Sequence, residues 1–231
     1  MITVLIVDGG KGAKVVGEYI EQELPVETIP ISIECEKMTE GEVADTLMNA
    51  IRPYKRTVGV AVLMGGYLTR GVERTLACRL PEIDFVNFDD GFCRLAGNEE
   101  RVMIVTSGEI RRSEEYQTEK AKMQECEIVE LDFEEWRKAA SGDSEAIRRV
   151  QQETISQSAA KIIIHSTEIL AEIDKVKQII DWRAEIIDMR IETAKRVEKS
   201  LGMRQRRDVR SRGRVAYREK KPFRVMMAGQ W

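Results

Sequence analysis

The sequence is poor in the residues that build metal sites and cross-links. Its 231 residues include one histidine, His165, and four cysteines, Cys35, Cys78, Cys93 and Cys126, with no pair at a CxxC spacing. That excludes a zinc finger and a disulfide framework, so the thiols are expected to be reduced, buried or scattered. No apolar run approaches the roughly 18 residues of a membrane span. Collagen, coiled-coil rods and disulfide miniproteins are excluded by composition. Asp8 ends the apolar stretch of residues 2–7 and no basic segment precedes it, so no signal peptide is expected. With 42% hydrophobic and 33% charged residues, the chain can bury a core and stay dissolved, which excludes wholesale disorder. The expectation is a soluble, cytoplasmic protein of one ordinary domain or two small lobes.

A near-zero net charge is also only apparent. The total is −3, but residues 203–231 hold ten Lys/Arg against Asp208 and Glu219, a local +8, so residues 1–202 carry −11. An acidic body with a basic tail reads as two regions with different jobs.

What is present is alternation. Ile2, Val4, Leu5, Ile6 and Val7 form an almost unbroken apolar run, as in a strand buried on both faces. Asp8-Gly9-Gly10-Lys11-Gly12 follows, and then Val15, Val16, Tyr19, Ile20 and Leu24 recur at helical spacing. Further strands are expected over 26–33 (broken by Pro30), 57–63, 84–88, 101–105, 127–131 and 161–164. Helices are expected over 40–51, 71–79, 112–124, 134–140 and 144–159, with another from about Glu168. Thr39 and Glu42 have the spacing of a capping box. This order predicts an α/β fold of mostly parallel sheets flanked by helices.

Ligands of open α/β sheets sit beyond the carboxyl ends of strands. Four such ends carry small or polar residues: Asp8-Gly9-Gly10, Gly65-Gly66, Thr106-Ser107-Gly108 and Ser166-Thr167. Converging, they would line one polar pocket suited to a carboxylate or phosphate. The competing reading makes them tight turns, with Ser166 or Thr167 capping a helix, Glu168 favouring its dipole and His165 serving a structural role.

The order of these motifs resembles the aspartate/glutamate racemase superfamily. The residues that carry the resemblance are Thr3–Gly12 with Asp8, Val58–Val86, Val102–Tyr116 with Arg112, Ser113 and Tyr116, Cys126–Leu131, Lys161–Leu170, and Glu185–Leu201. The resemblance implies two similar α/β lobes, 1–97 and 98–202, with a site between them and the tail of 203–231 outside. It also implies cofactor-independent chemistry, in which one thiolate removes an α-proton and a second thiol returns a proton from the other face. The sequence departs from that pattern at the decisive positions. Gly65 stands where the first cysteine is expected, Ser166 where the second is, and Glu168 at the position of a nearby histidine. No catalytic residue, metal or cofactor is therefore expected.

The expected function is a racemase-like protein without two-thiol chemistry, binding a small carboxylate or amino acid through Asp8, Gly9, Gly10, Gly65, Gly66, Ser107, Ser166, Thr167 and Glu168, or acting as an assembly subunit. One alternative is an isomerase or racemase using groups other than cysteine; another is a nucleic-acid-associated protein. The tail residues Arg204, Arg206, Arg207, Arg210, Arg212, Arg214 and Trp231 are the candidates for contact with a protein partner, a second copy or nucleic acid.

Ile173, Ile180, Ile187, Ala194 and Leu201 fall seven residues apart, as in one long helix able to pair with another copy. The reading preferred here breaks that helix with a short strand near Ile186–Ile187, because closure of the second lobe requires it.

Overall fold

The computed structural model describes residues 2–8, 12–33, 38–65, 70–88, 91–97, 99–123, 125–180 and 183–202. Within them lie two four-stranded parallel sheets. The first holds β1 (Ile2–Asp8), β2 (Val26–Ser32), β3 (Val58–Met64) and β4 (Asp84–Asn87), in the order β2-β1-β3-β4. The second holds β5 (Arg101–Thr106), β6 (Glu127–Leu131), β7 (Lys161–His165) and β8 (Glu185–Asp188), in the order β6-β5-β7-β8. The two orders are the same, so the second half of the chain repeats the topology of the first.

The helices are α1 (Gly12–Glu23), α2 (Glu40–Ile51), α3 (Arg70–Arg79), α4 (Phe92–Ala96), α5 (Gly108–Arg112), α6 (Glu114–Ala121), α7 (Phe133–Ser141), α8 (Ser144–Gln157), α9 (Thr167–Leu170), α10 (Ile173–Ile180) and α11 (Met189–Ser200). The central strands β1, β3, β5 and β7 are buried along most of their length, which explains their continuous apolar runs.

Several local expectations are refined by packing. Pro30 does not break β2. It pairs with Ile6 in an unbroken register, which a proline tolerates because β2 is an edge strand. The helix expected over 112–124 is instead α5 and α6, separated at Ser113, whose backbone is extended and whose hydroxyl accepts from the Tyr116 N–H. The seven-residue apolar repeat does not build one long helix: β8 interrupts it at residues 185–188. Cys93 lies in α4.

A single apolar cluster runs from Val4, Ile6, Val60 and Val62 in the first sheet to Met103, Ile104, Ile162 and Ile164 in the second. A second cluster, around Leu5, Leu47, Leu63 and Leu76, fills the other face of the first sheet beneath α2 and α3. The helix α11 follows the last strand of the second sheet, yet it packs mainly against α1, β3 and β4 of the first half. Among the described residues, no helix is long and apolar enough to cross a membrane.

Candidate ligand site between the two sheets

Each sheet reverses its direction of winding between two neighbouring strands, β1 and β3 in the first and β5 and β7 in the second. The crevice beyond the carboxyl ends of such a pair is where open α/β sheets bind ligands. Asp8 pairs with Met64 at the end of the first crevice, and Thr106 with His165 at the end of the second. Asp8, Gly65, Ser107 and Ser166 therefore stand at the two switch points.

The two crevices adjoin. Gly12, the first residue of α1, is so close to Thr167, the first of α9, that a Cβ on Gly12 would lie 2.4 Å from the Thr167 hydroxyl oxygen. Only a glycine lets these helix starts from the two halves approach so closely.

Asp8 and Ser107 have definite local roles. One carboxylate oxygen of Asp8 accepts from the N–H groups of Gly12 at 2.5 Å and Ala13 at 3.1 Å, holding the start of α1 over the end of β1. Gly65 has φ +106°, a conformation that residues with side chains rarely adopt. Ser107 caps α5, accepting from the Ile110 N–H at 3.3 Å. Ser166 occupies the N-cap position of α9 but makes no side-chain cap bond, although it is only 6% exposed. Thr167 is half-buried against Gly12, and Glu168 is exposed beyond the helix start. Gly9, Gly10, Gly66 and the whole tail, including Arg204, Arg206, Arg207, Arg210, Arg212, Arg214 and Trp231, lie outside the described residues.

His165 is fully buried in an aromatic layer between the halves. Its ring lies against Phe88 and Phe92 from the first half and Tyr116 from the second, with centroids 5.8–6.3 Å apart. Its Nδ1 is 3.4 Å from the Thr106 hydroxyl. The Tyr116 hydroxyl points away and donates to Glu130 at 3.2 Å. Burial and the Glu130 charge both push the phenol far above its ordinary pKa, so it stays neutral. Glu130 also accepts from Lys120 at 2.7 Å. Burial raises its carboxyl, but Lys120, Arg111 and the Tyr116 hydroxyl outweigh that and leave it below its ordinary value. The sequence placed this histidine after a buried strand in a structural role; it is in fact the last residue of β7, and its partners Phe88 and Phe92 were not legible because they come from the other half of the chain.

The thiols lie elsewhere where their side chains are described. Cys78 is exposed near the end of α3. Cys126 precedes β6, at the opposite end of the sheet from Ser107. Burial and the nearby Glu99 raise its pKa, the reverse of what a thiolate base needs. Cys93 follows Phe92 on α4, and Cys35 lies outside the described residues. Among the described residues, no group of three or more His, Cys, Asp or Glu side chains could hold a metal ion.

Two four-stranded parallel sheets of equal topology, meeting at their switch points, define a two-lobed α/β protein. Solved structures give that class a more particular form: the fold is aspartate/glutamate racemase-like. Glutamate racemase from Escherichia coli superposes with a TM-score of 0.66 at 17% identity, covering 87% of this chain and 82% of its own. Aspartate racemase from Picrophilus torridus gives 0.58 at 16% identity, covering 87% and 95%. Allantoin racemase from Pseudomonas fluorescens gives 0.58 at 13% identity, covering 87% and 92%. No protein-family model and no curated protein sequence matches the chain.

Proposed function

We propose that this protein binds a small carboxylate or amino acid in the crevice between its two sheets without racemising it by two-thiol chemistry, and that it works as a binding or assembly subunit whose basic tail engages a partner. The observation that carries the reading is the pair of residues at the switch points. Gly65 has no side chain, and its positive φ would strain a cysteine put in its place. Ser166 offers a hydroxyl, which stays protonated at neutral pH where a cysteine, ionising at about 8.5, supplies some thiolate. His165, the adjacent candidate for activating Ser166, has its Nδ1 turned to Thr106 inside the aromatic layer. Among the described residues, the Ser107 and Ser166 hydroxyls and nearby helix starts at the crevice are groups able to hold an anion.

The test has two arms. Incubation with L- or D-glutamate and L- or D-aspartate in D2O should leave the α-proton signal in the NMR spectrum unchanged. Loss of that signal through deuterium uptake would overturn the non-racemising half of the reading, and repeating the assay with Cys93→Ser would show whether that thiol is responsible. In the second arm, a panel of dicarboxylates and amino acids is screened by thermal denaturation. A bound ligand at a hundredfold excess over its Kd stabilises the fold by about 2.7 kcal/mol. Ser166→Ala should leave the unliganded Tm nearly unchanged, because the side chain caps nothing, and should weaken the ligand by about tenfold or more through the lost charge-assisted hydrogen bond. A panel with no stabilising member would sink the binding half.

A further inference from the structure

The rim of the first sheet at β2 carries a second feature, independent of the crevice. β2 pairs with β1 alone. The Ile33 N–H donates to the Asp8 carbonyl of β1, so alternation along the strand turns the backbone groups of Val26, Thr28, Pro30 and Ser32 outward. An outward row of N–H and carbonyl groups is a template for another strand. Along this rim the N–H groups are accounted for one by one. The Val26 N–H donates to the Leu24 carbonyl at 2.8 Å. The Thr28 N–H donates to the Glu21 carboxylate of α1 at 2.7 Å, and the Thr28 hydroxyl donates to the same oxygen at 2.9 Å. Pro30 has no N–H. Ser32, the last of the four, also has a partner. The helix is shaped for this contact. A Cβ on Gly17 would lie 2.7 Å from the Thr28 hydroxyl oxygen, so the missing side chain leaves room for Thr28 against α1, and Glu21 stands one helical turn further on, on the same face.

We infer that Glu21 is a guard residue: with Pro30 it leaves residues 26–30 of the rim without an N–H to offer, and so keeps a second copy of the chain from adding a strand there. A strand arriving at β2 meets carbonyl oxygens but no donors, and can form only part of a ladder. The sequence shows one half of this device, a proline in a strand. The other half, Glu21, lies on a helix and reads as an ordinary exposed acid until α1 is laid against β2.

Two measurements on the full chain test this. In the first, the Thr28 amide should exchange slowly for a residue on an outer rim. It should exchange about tenfold faster in Glu21→Ala, whereas Glu21→Gln, whose amide oxygen still accepts, should stay near the native rate. Equal exchange in the native protein and Glu21→Ala overturns the inference. In the second, sedimentation over a concentration series compares Glu21→Ala/Pro30→Thr with the control Glu18→Ala/Pro30→Thr, which removes the same charge from α1 at an exposed residue paired with Lys14. The first variant should form a species larger than the native one, and the control should associate more weakly. A first variant that sediments like the native protein, or a control that associates as strongly, overturns the inference. The exchange measurement uses single substitutions that keep Pro30, so it decides the matter even where the double variants fold poorly. Neither measurement bears on carboxylate binding in the crevice.

Discussion

At Gly12 the two halves come close together, and its substitution has a definite expected cost. The nearest Thr167 atoms lie 2.4–2.6 Å from the position of an added Cβ, so even Gly12→Ala must push α1 and α9 apart. We expect a loss of about 1–3 kcal/mol in urea unfolding, the usual range for overpacking, with recovery in Gly12→Ala/Thr167→Gly. Failure of the second change to rescue the first would show that the strain is relieved elsewhere. At the end of β8, Arg190 donates to both carboxylate oxygens of Asp188 while its guanidinium lies 4.8 Å from the ring centroid of Tyr19. Both charged residues are buried. Arg190→Ala strands the carboxylate and should cost about 3–5 kcal/mol, whereas Asp188→Leu/Arg190→Met should cost much less. The same unfolding assay distinguishes them.

Glu130 sets a pH dependence at the residue scale. Its carboxyl is held below the ordinary value in the folded protein. The stabilisation is therefore complete at neutral pH and is lost as pH falls below about 5 through the lowered folded-state value. Glu130→Gln should flatten that part of the stability profile by about 1 kcal/mol or less, since the group is partly solvated.

At the scale of elements, local chemistry was the most legible part of the sequence. Thr39 and Glu42 do form a reciprocal capping box at the start of α2, and Thr39→Ala should cost about 1 kcal/mol of stability in a denaturant titration. The buried strands were readable because burial on both faces demands an apolar run. Pro30 misled in β2 because a local penalty depends on whether a neighbouring strand needs the missing N–H, and an edge position is a property of the assembled sheet. The division between α5 and α6 was equally hidden: Arg112-Ser113-x-x-Tyr116 reads as a continuous helix until the Ser113 hydroxyl is seen capping a second start. Among the candidate site residues, Asp8, Gly65, Ser107 and Ser166 could be placed at strand ends by pattern alone. The closeness of Gly12 to Thr167 could not, because it joins residues far apart in the chain.

At the scale of the whole molecule, the apolar cluster shared by both sheets implies that they melt together. Urea unfolding followed through Trp136, buried in the second half, should coincide with a probe placed in the first half, such as a fluorophore on the exposed Cys78. Two separated transitions would mean that the shared core contributes little to cohesion.

The position of α11 has a consequence for synthesis. A chain emerging from the ribosome delivers all four strands of the first sheet long before residues 189–200, yet those residues supply the helix that lies against β3 and β4. The nascent first half therefore waits with one flank uncovered until the second half has been translated, and a stop codon anywhere before residue 189 spoils the part already made as well as the part still missing.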